Sequence, residues 1–394
     1  MKKYFALLSA IMMLGAAASC SDKGKSGDKK ENSGSVAETT EPAPVGNGTK
    51  KIGIAMPTNT LERWTRDGEF LKEKFENAGY EVILKYSEYD PELQNDDIQE
   101  MIDSNVDLLL IAAVEGASIS ETVDQAKEKN IAVIAYDRLI MNTYAISYYV
   151  SFDNYSVGVL QGEYVRDALD LDNSKEPHNI ELVAGDASDN NAKFFFNGAY
   201  GILKPYVESG KLNILSGKKS FEQVATEGWS KDTACENMRA KLAVYYADGA
   251  SLDAVVCAND STALGVENAI STDYKGDNIP VITGQDGDIA NLKNIVDGTQ
   301  AMTVFKNFND EATVAFEVST AVLAGKKPDA KLLADLSAPA SFDSGSYSNG
   351  VMYVPAYLLI PSVITKDNLQ DMVDTGLYKW DSSKKYLEAV EKSN

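Results

Sequence analysis

Histidine occurs once in these 394 residues, and cysteine and tryptophan three times each. The lone His178 stands just before a strand-like run in "PHNIEL", with no second histidine and no cysteine pair beside it. That leaves a histidine-based triad or a zinc site without ligands, and no metal or cofactor is expected. Beyond Cys20 only Cys235 and Cys257 remain. Cys257 lies inside the apolar run "LDAVVCAND" and reads as a buried free thiol rather than half of a disulfide.

Basic charge is also scarce. Seven of the 37 basic and five of the 59 acidic side chains fall in residues 1–50, so the remainder holds 30 basic and 54 acidic groups, a net charge of −24. Such a surface repels nucleic acid and anionic lipid and disfavours phosphate-rich ligands. The first twenty residues, "MKKYFALLSAIMMLGAAASC", place Lys2 and Lys3 before an apolar run ending in small residues. This is the pattern of a secretory signal, too short for a membrane span. Its close, "AASC", resembles a bacterial lipoprotein cleavage site, and by that resemblance Cys20 becomes the lipid-bearing first residue of an extracytoplasmic, membrane-anchored protein. Residues 21–50 are polar, Gly/Ser-rich and interrupted by Pro42 and Pro44, a composition that cannot bury enough apolar surface to fold. A flexible tether of that length spans roughly 30 Å root-mean-square.

From residue 51 the pattern alternates. Apolar runs at 51–56, 81–86, 106–112, 131–136 and 146–152 are interleaved with amphipathic stretches such as 90–104 and 118–130. A second series follows at 179–184, 212–215, 252–257, 279–283 and 300–305, with helical stretches at 190–208, 230–247, 261–272 and 309–324. Repeated βαβ units predict an α/β fold with parallel sheets covered on both faces, and two series predict two similar lobes.

In such sheets ligands bind beyond the carboxyl ends of the strands. The first of these turns, in "KIGIAMPTNTLERWTRDGEF", lacks the glycines that let a backbone approach phosphate and offers Arg63, Trp64 and Arg66 instead. Later strand ends carry Asp137 and Arg138, then Asp189, Asn190 and Asn191, then Asn259 and Asp260, Gln285 and Asp286, and Lys306. Singly, each has a structural reading. Asp189 and Asp260 suit helix N-caps, Asp286 before Gly287 suits a turn, and Arg138 could cover the strand ends. Trp229, just before the N-cap residue Ser230, could staple onto Ala234. Together, amides, carboxylates and guanidinium groups around Trp64 and Trp229 suit a neutral polyhydroxylated ring. Its C–H faces stack on indole while vicinal hydroxyls take paired hydrogen bonds.

The segments "ERWTRD", "VIAYDRLI", "YVSFDNYSVGVLQ", "DNNAKFFFNGAYGILKPYVESGKL", "VVCANDSTALG", "TGQDGD" and "TVFK" resemble the type I substrate-binding proteins of bacterial sugar ABC importers, in their xylose-binding and multiple-sugar-binding branches. The resemblance implies two Rossmann-like lobes joined by a three-segment hinge, a monosaccharide trapped between them, an ABC permease as partner, and no catalysis. It divides the chain into a signal (1–20), a tether (21–50), an N-terminal lobe (51–154 plus about 307–335), a C-terminal lobe (155–306 plus about 336–380) and a tail (381–394). By it a pyranose lies between Trp64 and Trp229. Arg63, Asp137 and Arg138 bind it from one lobe, and Asp189, Asn191, Asn259, Asp286 and Lys306 from the other lobe and the hinge. The "ANDS" stretch leans toward a pentose, Glu115 departs from the family after the third strand, and no D-x-D-x-D-G calcium loop is present. A monomer is expected.

Three other functions share parts of this pattern. A repressor of the same fold needs an N-terminal helix-turn-helix, where this chain has a signal and a tether. A glycosidase would use Asp137 and Asp286 as its acid/base pair. A binding protein for another polyol, for a signal such as autoinducer-2, or for feeding a chemoreceptor shares the same layout. For the anchor, Cys20→Ser should move the protein from the membrane pellet to the soluble fraction. Retention in the pellet would show that Cys20 is not the anchor.

Overall fold

The structure, a computed structural model, describes residues 48–336 and 338–390. Cys20, the signal and nearly all of the tether lie outside the described residues. The first half of the fold runs β1 (Lys51–Met56), α1 (Glu62–Asn77), β2 (Glu81–Tyr86), α2 (Pro91–Asp103) and β3 (Leu108–Ile111). It continues through α3 (Ser120–Glu128), β4 (Ala132–Tyr136) and β5 (Ile146–Phe152). A second half follows with α4 (Asn154–Ala168), β6 (His178–Val183), α5 (Asn190–Glu208), β7 (Leu212–Asn213), α6 (Phe221–Val224) and α7 (Lys231–Tyr245). Next come β8 (Ala254–Cys257), α8 (Asp260–Asp273), β9 (Val281–Ile282), α9 (Ile289–Asp297) and β10 (Thr303–Phe305). The last stretch holds α10 (Phe308–Leu323), β11 (Ala340–Asp343), β12 (Ala356–Leu359), β13 (Ser362–Ile364), α11 (Gln370–Asp374), β14 (Tyr378–Trp380) and β15 (Leu387–Ala389).

Seven strands form one sheet in the order β11-β12-β5-β4-β3-β1-β2, parallel except for β11. A four-stranded parallel sheet, β7-β6-β8-β9, serves the second half. Both are buried on two faces, which is why their strands read as continuous apolar runs. Along β3, Leu109 and Ile111 enter one core while Leu108 and Leu110 enter the other, as the two-residue period of a strand requires. Likewise β8 sends Ala254 and Val256 to one side and Val255 and Cys257 to the other. Cys235 and Cys257 are free thiols, and burial pushes the Cys257 thiol up.

Two expectations about the C-terminal third need correction. The resemblance places residues 336–380 in the second half, but β11 and β12 extend the first sheet, β12 lying parallel to β5. All four residues of β12, "AYLL", are buried, so burial against the first core outweighs sequence distance. Residues 381–390 are likewise no loose tail. β15 pairs with β14, and Leu387 is buried among Leu292, Ile295 and Met372. The chain therefore passes between the two sheets' layers three times, near residues 153, 306 and 360.

Helix packing fixes what reaches the strand ends. On α1, Trp64, Gly68, Leu71 and Phe75 form one buried stripe at helical spacing, which places Trp64 a full two turns before Leu71, over the strand ends. In the second half α4 and α5 touch backbone to backbone: a Cβ on Gly158 would lie 2.0 Å from the Phe195 carbonyl oxygen. That contact fixes α5, whose first turns carry Asn191 and Phe195. Among the described residues no helix is long and apolar enough to cross a membrane.

Candidate functional site

The carboxyl ends of both parallel sheets face one cavity, the position where ligands bind in folds of this kind. The ten residues that the resemblance assigns to the ligand all line it, Arg63, Trp64, Asp137, Arg138, Asp189, Asn191, Trp229, Asn259, Asp286 and Lys306, whereas the strand-end residues Arg66, Asn190 and Asp260 do not. Gln285, Phe195, Ser261, Asp288 and Leu61 complete the wall. Glu115 does not reach it.

Arg63 is the hub. It is only 6% exposed, and its Nη2 donates to Asp137 Oδ2 at 2.6 Å and to Glu311 Oε2 at 2.7 Å. Its Nε lies 3.4 Å from Asp67, and its Nη1 lies 3.6 Å from Asp286 across the cavity. Lys306 stands 3.4 Å from Asp137 and 3.7 Å from Asp286. Burial pushes the Asp137 carboxyl up, but Arg63, Lys306 and Arg138 together outweigh it and hold it well below the usual carboxylate range. At Glu311 and Asp67 burial prevails over the pull of Arg63, and both carboxyls are pushed up. Asp137 itself adopts a left-handed φ of +55°, fixed by three donors to its carbonyl: Tyr149 Oη at 2.7 Å, Ser151 Oγ at 2.8 Å and Asn191 Nδ2 at 2.7 Å.

Several of these side chains already serve protein partners. Asp189 caps α5 by accepting from the Asn191 N–H and pairs with Arg138 Nε at 2.9 Å. Arg138 also donates to the Ala113 carbonyl at 3.0 Å and to Tyr89 Oη at 2.6 Å. The side-chain oxygen of Asn259 caps α8 through the Thr262 N–H, which leaves its NH₂ donors for a ligand. The cap of α8 is therefore Asn259 and not Asp260. Asp260 is fully buried and instead accepts the backbone N–H groups of Gly287 and Asp288, both at 2.9 Å. Five buried wall atoms have no hydrogen bond: the acceptors Asp286 Oδ1 and Gln285 Oε1, the donor Trp229 Nε1, and the Nε atoms of Arg63 and Arg138, which have only ion-pair contacts with Asp67 and Asp189.

Both tryptophans are 4% exposed and line the cavity. The guanidinium carbons of Arg63 and Arg138 lie 4.8 and 5.1 Å from the Trp64 ring centre, which is cation–π range. Trp229 follows a tight turn with φ +56°, its carbonyl held by Ser261 Oγ at 3.0 Å. Its indole lies against bare backbone, since a Cβ on Gly185 would fall 2.0 Å from the ring. Phe195 meets it edge-on at 6.2 Å. The staple onto Ala234 does not form: Trp229 packs in one core of the second half and Ala234 in the other.

Sequence reasoning missed Glu311 and Asp67, which stand behind Arg63, and it named Gln285 without selecting it. Asp67 carried a signal, since it lies four residues after Arg63 on the same helix face. Glu311 carried none, being 248 residues away in sequence. Chemically the wall offers bidentate acceptors and donors beside flat aromatic faces. An acid catalyst needs a proton to give, and Asp137 is held ionised by its cationic neighbours. Among the described residues no cluster of histidine, cysteine and carboxylate could hold a metal ion.

Residues 52–327 match the family model described as periplasmic binding protein domain. The multiple sugar-binding periplasmic receptor ChvE of Rhizobium radiobacter is 38% identical over 337 residues, covering 84% of this chain and 92% of that protein. The D-xylose-binding periplasmic protein of Escherichia coli K12 is 35% identical over 323 residues, covering 82% and 89%. An ABC transporter solute-binding protein from Clostridium phytofermentans, solved with bound β-D-glucose, superposes with a TM-score of 0.79 at 46% identity, covering 85% of this chain and 99% of that one.

The seating of Trp229 is open to a direct check. Gly185→Ala forces the indole off its backbone floor, and overpacking of this kind costs about 1–3 kcal/mol. Near-ultraviolet circular dichroism should change and the denaturation midpoint should fall. An unaltered tryptophan signal at unaltered stability would contradict this placement.

Proposed function

The chain belongs to the periplasmic binding protein family as a sugar-binding protein of the ABC-transporter type, and from that premise we propose that it traps a single neutral aldopyranose, D-glucose or D-xylose, in the cavity between its two halves. The observation that carries this reading is the pair of buried acceptors that no hydrogen bond satisfies, Asp286 Oδ1 and Gln285 Oε1, set in a wall that also holds two indoles. Buried oxygens without donors are costly, and sugar hydroxyls are donors of the right size and spacing.

Charge argues for a neutral ligand. Around Arg63, Arg138 and Lys306 stand five carboxylates, those of Asp67, Asp137, Asp189, Asp286 and Glu311. All three cations already face acidic side chains of the wall, so an acidic sugar would find no cation to itself. A hydroxyl donates to carboxylates and accepts from Arg63, Lys306 or the Asn259 amide with no change in net charge. The indoles of Trp64 and Trp229 would stack on the ring's C–H faces. Glucose gains weight from the 46% identical relative that holds it, and xylose from the D-xylose-binding relative.

In this reading the halves act as two lobes that close on sugar and present it to an ABC permease. The protein works as a monomer, tethered to the outer face of the membrane through a lipid on Cys20. Closure selects the state in which groups from both halves meet the ligand.

Calorimetry and thermal melting with pentoses, hexoses and polyols test the proposal. A hundredfold excess of the right aldose over Kd should stabilise the protein by about 2.7 kcal/mol. Trp64→Ala should weaken binding by about 2–3 kcal/mol, roughly thirtyfold to over a hundredfold, through lost stacking and burial. No melting shift with any aldose would overturn the reading. Undiminished affinity in Trp64→Ala, with a lower melting point, would make that residue part of the core alone.

A further inference from the structure

One turn beyond Arg63 on α1 stands a second arginine, Arg66, which does not line the cavity. Its Nη1 donates to Tyr378 Oη at 2.9 Å, and its Nη2 donates to Asp288 Oδ1 at 3.3 Å. Helix α1 packs on the seven-stranded sheet through Trp64, Leu71 and Phe75. Tyr378 packs with Leu292 and Ile295 of α9, and Asp288 is the residue just before that helix. Arg66, itself outside the cavity, therefore ties the first half of the molecule to Tyr378 and to the wall residue Asp288 of the second.

Its partners grip the segment that forms one wall of the site. Tyr378 Oη, while accepting from Arg66, donates its own proton to the Gly287 carbonyl at 2.9 Å. From beneath, Asp260 Oδ2 accepts the N–H groups of Gly287 and Asp288, and Asp260 Oδ1 accepts from Gln300 at 3.0 Å. Between these two grips Asp286 holds a φ of +106°, unfavourable for any residue with a side chain, so the surrounding bonds must fix it. The segment 285–288 is thus anchored in its own half by Asp260 and joined through Tyr378 and Arg66 to the helix that carries Arg63 and Trp64.

We propose that Arg66, Tyr378 and Asp288 form a latch across the cleft that positions Asp286 and sets the rate of sugar release, with Arg66 and Tyr378 acting from outside the cavity. The latch rests on the sugar-binding reading above and adds to it a group of positioning residues. Bonds made only when the two halves meet stabilise the closed state, and they lower the dissociation rate rather than raise the association rate. Tyr378 is the informative member. Removing its hydroxyl cuts both the Arg66 and the Gly287 bonds, while its ring keeps the edge contact with Phe305 at 6.0 Å.

The test is stopped-flow tryptophan fluorescence of the full chain with D-glucose and D-xylose, comparing the unaltered protein with Tyr378→Phe, Arg66→Ala and Arg66→Lys. Loss of a hydrogen bond to a charged group predicts dissociation about tenfold faster in Tyr378→Phe and at least as fast in Arg66→Ala, with association within about twofold. Arg66→Lys should fall between, because an ammonium can pair with Asp288 but cannot fork to Tyr378 as well. Melting of the sugar-free variants separates the latch from a purely structural role. In Arg66→Ala a latch leaves it near that of the unaltered protein, whereas a core role lowers it and moves both rate constants; Tyr378→Phe also loses the Gly287 bond within its own half and is judged by its rates. Unchanged dissociation in Tyr378→Phe and Arg66→Ala, or a change confined to association, overturns the latch. If the unaltered protein takes up neither sugar, the sugar reading itself fails and the latch falls with it.

Discussion

The site depends on one buried cation. Arg63 is shared by Asp137 at the end of β4, Glu311 on α10, Asp67 on its own helix and Asp286 from the opposite half. Desolvating a guanidinium among four carboxyl groups is expensive, and such a cluster is weak evidence for stability. It is better understood as a means of fixing acceptor oxygens at defined positions. Arg63 and Lys306 hold Asp137 ionised, so that it can only accept, and in the proposed reading sugar hydroxyls supply the donors. Withdrawing Arg63 would leave several carboxylates buried without compensation. For that reason it sets the geometry of the wall more than any aromatic contact does.

The fold makes the cluster possible by keeping it away from the cores. In each half an apolar sheet is covered on both faces, and the polar groups are confined to the carboxyl ends of the strands. Two strained residues mark the ends where backbone turns sharply toward the ligand: Asp137, whose carbonyl takes three hydrogen bonds, and Asp286, whose neighbours are gripped by Asp260 and Tyr378. Strain of this kind persists only where surrounding bonds over-determine it, and here they do. The same logic explains Gly185, where a side chain would displace the Trp229 indole.

Much of this was legible in the sequence because parallel strands announce themselves as apolar runs and the residues just after them fall where ligands bind. Arg63, Trp64, Asp137 and Lys306 could be chosen on that ground alone. What escaped were partners with no local pattern: Glu311 reaches Arg63 from a distant helix, and Asp260 bonds a loop instead of capping its own helix. The strands at 340–343 and 356–359 were assigned to the wrong half because they are four residues each and lie in a stretch rich in glycine and serine. Only pairing with β5 decides where they belong, and pairing is a tertiary fact. The hairpin at 378–389 was read as partly tail for the same reason, although it carries the tyrosine that reaches Arg66.

The most direct measurement is a crystal structure of the protein grown with D-glucose or D-xylose. The account predicts a pyranose ring between the indoles of Trp64 and Trp229, with hydroxyl oxygens within hydrogen-bond distance of Asp137, Asp286 and Asn259. Sugar bound elsewhere, or a ring in the cavity that touches neither indole nor any of these side chains, would contradict it.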